Sequence, residues 1–291
     1  IGHDVKKDIR FLRSYGYNGF TAEFDTAIGA YILNATGSSY EYDDIAATFL
    51  NETYPSQEEV FGKGRTKKTF AALPEAERTA YGARQAEIFF RARKVMEERL
   101  AENEQKSLFY DMEMPLIYVL ADMEKYGIKV DKAALLAYQK RLGESLDGME
   151  EEIYALAGEK FNINSPKQLG VILFERLGLK GGKKTKTGYS TSADILEKLR
   201  TEDPIIDKIL EYRQVSKLKS TYADGLPVFI EEDHRIHGKF NQTITATGRI
   251  SSTEPNLQNI PARVELGRLI RKVFVPEEGY VFVDADYSQI E

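Results

Sequence analysis

Cysteine is absent from all 291 residues, so neither disulfides nor thiolate metal sites occur, which fits a reducing cytoplasm. Long apolar runs are absent too. None approaches the ~20 residues that a membrane-spanning helix needs, and the first residues, IGHDVKKDIRF, lack the basic-then-apolar order of a signal peptide, so no membrane partner is expected. Internal repeats and low-complexity tracts do not occur. A surplus of positive charge is missing as well: 40 Lys and Arg stand against 46 Asp and Glu, a formal charge of −6. That balance argues against a protein coating nucleic acid indiscriminately, while leaving room for a local basic groove. The chain has no initiator Met and stops inside a motif, so a piece of a longer polypeptide is expected.

What is present suffices for packed cores. Apolar residues make up 42% and aromatics 11% of a chain long enough for two domains. The chemistry concentrates in the last fifty residues. Tyr280, Val281, Phe282 and Val283 have the length and the β-branched and aromatic content of a short buried strand, ending in Asp284, Ala285 and Asp286. A carboxylate at a strand end can hold Mg²⁺, a hard cation that shares itself between one or two carboxylates and substrate phosphates. Capping a helix or turn is the alternative for such an Asp. Upstream, TGRISS (247–252) and NLQNIP (256–261) set amide and hydroxyl groups beside Arg249. Donors of this kind suit the minor groove, where every base pair presents an N3 or O2 acceptor at nearly the same place. A polar loop held by Asn and Ser turns is the other reading.

TATGRISSTEPNLQNIP (245–261) followed by VDADYSQIE (283–291) resembles the bacterial DNA polymerase I family, family A. The resemblance implies that Asp286 is one of two carboxylates holding a catalytic pair of Mg²⁺ ions, with the Tyr287 backbone carbonyl also touching metal. It places Ser288, Gln289, Ile290 and Glu291 at the nucleotide, Glu291 closing the sugar pocket against a ribose 2′-OH. Asp284 matches no metal ligand. Arg249, Asn256 and Gln258 would test the nascent duplex from the minor groove. The implied reaction is template-directed addition of a deoxynucleoside triphosphate to a primer 3′-OH, in replication and repair, in a bacterial cytoplasm.

Toward the N-terminus, helices are expected over Asp4–Leu12, Ala27–Leu33, Tyr42–Leu50 and Pro74–Leu100, with Pro55–Lys68 a loop. This stretch resembles the family's 3′→5′ proofreading domain, with Asp8 at the place of a metal-binding Asp. The final proofreading motif there is Tyr followed at i+4 by Asp. Tyr81 is present, but Gln85 stands where the acid belongs, and a neutral amide gives a divalent ion no charge. An upstream D-x-E motif is also missing. Proofreading is therefore expected to be inactive, and Asp8 reads as an ordinary exposed helix residue rather than a ligand.

A helix from Leu108 to Tyr126 follows, ended by Gly127, and Asp131 caps another that runs to about Leu156. Ser165–Gln168 reads as a capping box with Pro at the first helical position. The most cationic stretch, LKGGKKTKTGYST (179–191), contains Thr185 and Lys186. Glycines there admit close approach to a phosphate while Lys and Thr donate, although a solvated basic loop is the plainer alternative. The resemblance puts it at the tip of a thumb gripping primer–template DNA. Ser192 and Pro204 open two further helices, the second setting Arg213 and Lys217 one turn apart, able to straddle a phosphate track or simply to line a solvated face. His234–Gln242 alternates as a strand.

The expected fold class is α+β and multidomain. Residues 1–105 form a partial, degenerate ribonuclease H-like α/β exonuclease-type domain, 106–232 a helical thumb, and 233–291 the start of an antiparallel-sheet palm. The family's finger helix (R-x-x-x-K-x-x-x-F-x-x-x-Y-G) and its H-D-E strand, which bears the second metal carboxylate, do not occur. The fragment alone is thus expected not to polymerise, a missing C-terminal portion being its partner. A non-catalytic module binding primed DNA is the alternative, and a nuclease dependent on Asp8 is a further rival.

Overall fold

Asp25 organises the N-terminal helices in a computed structural model that describes every residue except Gly181, Lys183, Lys186, Thr187, 262–264 and 289–291, with only the backbone of Lys184 and Thr185. Helix α1 (Val5–Ser14) starts from Asp4, whose φ of 53° is left-handed and whose side chain caps nothing. The Asp25 carboxylate does that work, accepting from Asp4 N at 3.2 Å and Val5 N at 2.8 Å. It also caps α2 (Thr26–Leu33), accepting from Ala27 N at 2.8 Å and Ile28 N at 3.4 Å. One acid thereby satisfies orphan donors at two helix starts. Asp25 is 2% exposed, and burial pushes its carboxyl up to about 6 against the pull of the backbone donors.

Two units divide the chain: Ile1–Gly127 with His237–Gln258, and Ile128–Ile236 with Asn259–Glu291. The helix after Leu108 belongs to the first of these units. In this first unit α3 (Tyr42–Ile45) widens into a looser turn at Ala46–Leu50, followed by α4 (Gln57–Phe61), α5 (Glu75–Glu102) and α6 (Met114–Tyr126). Pro115 sits in the first turn of α6, and Gly127 at φ 60° ends it. Phe24, Ile88, Met96, Leu100, Phe109 and Ile117 form the heart of its core. The expected loop at Pro55–Lys68 is corrected by α4, which starts with a full capping box: Ser56 Oγ accepts from Glu59 N, and the Glu59 carboxylate accepts from Ser56 N. The S-x-x-E signal at Ser56–Glu59 sits inside the run expected as a loop.

An antiparallel hairpin completes this unit, with Lys239, Phe240 and Asn241 facing Thr253, Ser252 and Ser251. The strand expected over His234–Gln242 breaks at His237–Gly238. Its first part, Arg235–Ile236, pairs instead with Ile128–Lys129 in the second unit.

That second unit is mainly helical. Asp131 accepts from Ala134 N at 3.0 Å and so caps α7 (Lys132–Ala157). Short α8 (Pro166–Val171) and α9 (Ala193–Lys198) precede α10 (Pro204–Leu218), which packs along α7. Ile153, Ile205 and Ile209 are fully buried, and truncating such a residue to Ala costs about 2–5 kcal/mol. The Tyr212 hydroxyl ties the pair by donating to Glu150 Oε1 at 2.7 Å. The box at Ser165 is only half formed: Ser165 Oγ accepts from Gln168 N, but Gln168 Oε1 turns to Asn162 N at 2.8 Å. The basic stretch contains a two-stranded hairpin, Lys184–Thr185 with Gly188–Tyr189, where a loop was expected. A last short helix, α11, spans Glu265–Leu269.

Tyr280–Val283 is also corrected. These four side chains are 60–86% exposed, and the segment pairs in no ladder among the described residues. Its composition suits a strand, but strand stability comes from paired neighbours and a covered face, and here neither is at hand.

Candidate nucleic-acid interface

The loop carrying Arg249 is fixed by its roots. Phe240 N donates to Glu124 Oε1 at 2.8 Å. Gln242, nearly buried, donates from Nε2 to Glu113 O at 3.1 Å and Glu113 Oε2 at 2.7 Å. Within the loop, Thr245 Oγ1 donates to Arg249 O at 2.6 Å, and Gln258 Nε2 donates to Ile250 O at 2.9 Å. Asn256 Oδ1 accepts from Gln258 N at 3.0 Å. Buried Ser252 accepts from Leu257 N and donates to Pro255 O. The turn chemistry read from sequence is thus present. One oxygen of Asn256 and the amide of Gln258 shape the loop, while Arg249, Asn256 and Gln258 all remain exposed.

In the second unit, Arg213 and Lys217 part company. Arg213 donates through Nη1 to Thr191 O and through Nη2 to Thr191 Oγ1 at 3.1 Å, and its burial holds the guanidinium below its ordinary pKa. It anchors the chain just after the basic hairpin rather than standing open beside Lys217, which is exposed. Lys186 lies outside the described residues, as does the side chain of Thr185.

The segment leading to Asp286 is clamped at its root. Glu277 accepts from Lys129 Nζ at 2.5 Å and from Arg235 Nη2 at 2.6 Å, and these two hydrogen-bonded cations hold its carboxyl down at about 2. Beyond the clamp, Asp286, Tyr287 and Ser288 are exposed, while Gln289, Ile290 and Glu291 lie outside the described residues. Among the described residues no three His, Asp or Glu side chains converge as a metal site. Asp286 and Tyr287 are exposed residues, and a carboxylate and a backbone carbonyl are hard oxygen donors of the kind that a magnesium ion takes.

The N-terminal unit holds a cavity of about 1000 Å³ bordered by His3, Asp4, Lys7, Tyr81, Gln85 and Phe89. Gln85 Nε2 donates to the Tyr81 hydroxyl at 3.1 Å, and burial pushes that phenol up to about 12. His3 stacks on Phe89 at 4.5 Å between ring centroids, and burial takes its imidazole down to about 4, so it is neutral at pH 7. Asp8 lies on the exposed side of α1 and does not border the cavity. Tyr81 and Gln85 therefore come together, but Asp8 is not among them.

Sequence reasoning missed Glu124 altogether. It is 1% exposed, with Lys6 Nζ at 2.5 Å and Arg10 Nη1 at 2.7 Å. No local pattern marks it, because its partners are more than a hundred residues away. Tyr31, whose hydroxyl donates to Thr245 O at 2.6 Å, was hidden for the same reason inside an apolar helix.

Comparison with known proteins matches two stretches of the chain. Residues 132–291 match DNA polymerase family A, and residues 1–92 match the DNA polymerase I ribonuclease H-like domain. DNA polymerase I of Bacillus subtilis (strain 168) is 48% identical over 99% of this chain and 33% of its own length. DNA polymerase I of Geobacillus stearothermophilus is 45% identical over the whole chain and 34% of its length. The chain thus spans about a third of these relatives. Among solved structures, the POL domain of Pol1 from M. smegmatis, in complex with DNA primer-template and dNTP, aligns with a TM-score of 0.78 at 36% identity, over 96% of this chain and 46% of that one.

Proposed function

The chain belongs to DNA polymerase family A, and from that premise we propose that it is part of a DNA-directed DNA polymerase. In this reading it supplies the helical thumb, the first part of the palm and a nuclease-like unit that no longer proofreads. The observation that carries the reading is the fixed, exposed Arg249 loop in a chain that also presents Asp286 and the Tyr287 carbonyl at the end of a clamped segment.

The reaction joins the primer 3′-oxygen to the α-phosphorus of an incoming deoxynucleoside triphosphate. The bond from that phosphorus to the bridging oxygen of the β-phosphate breaks, pyrophosphate leaves, and the hydroxyl proton passes to solvent or a base. Little covalent chemistry falls to the protein, so positioning and charge neutralisation dominate. Bound magnesium would supply neutralisation at the phosphate oxygens. Asp286 and the Tyr287 carbonyl would hold it, together with a second acid that the 291 residues do not contain. Arg249, Asn256 and Gln258 present donors suited to the shared minor-groove acceptors and so test pair geometry, not sequence. Lys217, Thr185 and Lys186 serve the phosphate backbone. Arg213 serves it indirectly by holding Thr191. Ser288, Gln289, Ile290 and Glu291 border the nucleotide, Glu291 excluding a ribose 2′-OH.

The missing finger helix and the missing acid make the isolated segment inactive in this reading. A primer-extension assay on the segment alone and on the complete polypeptide tests it. The first binds primed duplex with a steep salt dependence but adds no nucleotide, and the second extends the primer. Extension by the segment alone, or none by the complete polypeptide, contradicts the proposal.

A further inference from the structure

The unit that has lost its nuclease carboxylate still grips the Arg249 loop. Tyr31 lies on α2, a helix whose start is capped by Asp25. Its ring is 4% exposed and meets Tyr40 edge-on at 6.0 Å, so the hydroxyl has a rigid mount. That hydroxyl donates to Thr245 O at 2.6 Å, and Thr245 Oγ1 in turn donates to Arg249 O at 2.6 Å. The two bonds lie in series. They tie Thr245 to the backbone of Arg249, whose neighbour Ile250 also accepts from Gln258 Nε2, in a stretch where Ile244 is 69% exposed and Ala246 to Arg249 are all exposed.

We propose that Tyr31 is a positioning residue: through Thr245 it sets the placement of Arg249 and hence how sharply the polymerase tells a matched primer end from a mismatched one. This rests on Arg249 being the minor-groove probe of the proposed function. Reading a shared acceptor position demands a donor held to within about half an ångström, which a solvent-exposed loop does not achieve unaided. The nuclease-like unit is then kept as a mount for the loop, a use that needs none of the acids replaced or displaced in its cavity.

Tyr31→Phe tests this, because it deletes one hydroxyl and keeps the buried ring. In the complete polypeptide, single-turnover extension is measured from matched and mismatched 3′ ends for wild type, Tyr31→Phe, Arg249→Ala and the double variant, with thermal melting alongside. The expected result is a matched-to-mismatched ratio lowered about three- to tenfold by Tyr31→Phe, the worth of one hydrogen bond, with melting unchanged. Added to Arg249→Ala, the same change should do nothing further, since residues acting through one another are not additive. If Arg249→Ala lowers the ratio but Tyr31→Phe does not, or if the two effects simply add, the positioning role is wrong while the probe survives. Lower melting with both ends slowed alike marks a merely structural Tyr31 and also overturns it. If Arg249→Ala leaves the ratio unchanged, the probe assignment itself fails.

Discussion

Replacing Glu124 by Gln keeps the volume of the side chain and removes its charge, which isolates what that buried carboxylate does for the hairpin under the Arg249 loop. Three donors converge on it: Lys6 Nζ at 2.5 Å and Phe240 N at 2.8 Å on one oxygen, and Arg10 Nη1 at 2.7 Å on the other. Lys6 also donates to Phe240 O, so the same two side chains hold both polar groups of one strand residue. Removing one partner of a buried ion pair costs about 3–5 kcal/mol, mostly from the charge left behind. Lys6 is 14% exposed and would bear that penalty, whereas Arg10 at 35% can rehydrate, so about 2–4 kcal/mol is expected. Native-state hydrogen exchange reads this locally. Protection of the Phe240 amide should fall about 30- to 1000-fold, following that free energy, while amides in α10 keep theirs as an internal reference. Moderate salt should leave the wild-type protection nearly unchanged, because a buried pair is weakly screened. Equal losses at Phe240 and in α10, or no loss at Phe240, would refute the reasoning.

Asp25 makes stability depend on pH. Its carboxyl protonates near 6 in the folded unit against an ordinary 3.8. The folded state thus holds the proton more tightly, and the contribution is full below about pH 4 and lost as pH rises through about 6, some 3 kcal/mol in all. Opening free energies of α1 and α2, from hydrogen exchange corrected for intrinsic rates, should fall across that window in wild type and lose this slope in Asp25→Asn. Parallel curves would count against it. Separately, Asp8→Ala should leave 3′-end trimming of single-stranded DNA at background, as in wild type. Trimming that disappears with this substitution would restore a nuclease role.

Much of the helical frame was legible from sequence because its signals are local. Asp131 and Ser165 announce the helices they cap, Gly127 ends α6, and the apolar spacing of α10 falls on its buried side. What escaped was settled at a distance. Glu124 and Tyr31 meet partners far along the chain, and Asp25 caps α1 from 20 residues away through Val5. The strand expected at Tyr280–Val283 failed for a related reason: composition states a preference for pairing but does not provide the partner. The candidate site was legible as motifs. That Arg213 is engaged by Thr191 while Lys217 stays exposed could not be read from two basic residues one turn apart.

The assignment of Asp286 as a carboxylate acting on the incoming nucleotide is tested most directly by single-turnover incorporation on primed DNA, comparing the complete polypeptide with its Asp286→Ala variant at saturating magnesium and nucleotide. The expected result is incorporation slowed about a hundred- to a thousandfold, on the order of the loss when transition-state charge stabilisation is removed, with primer–template affinity little changed. Equal incorporation rates for the two proteins would contradict it.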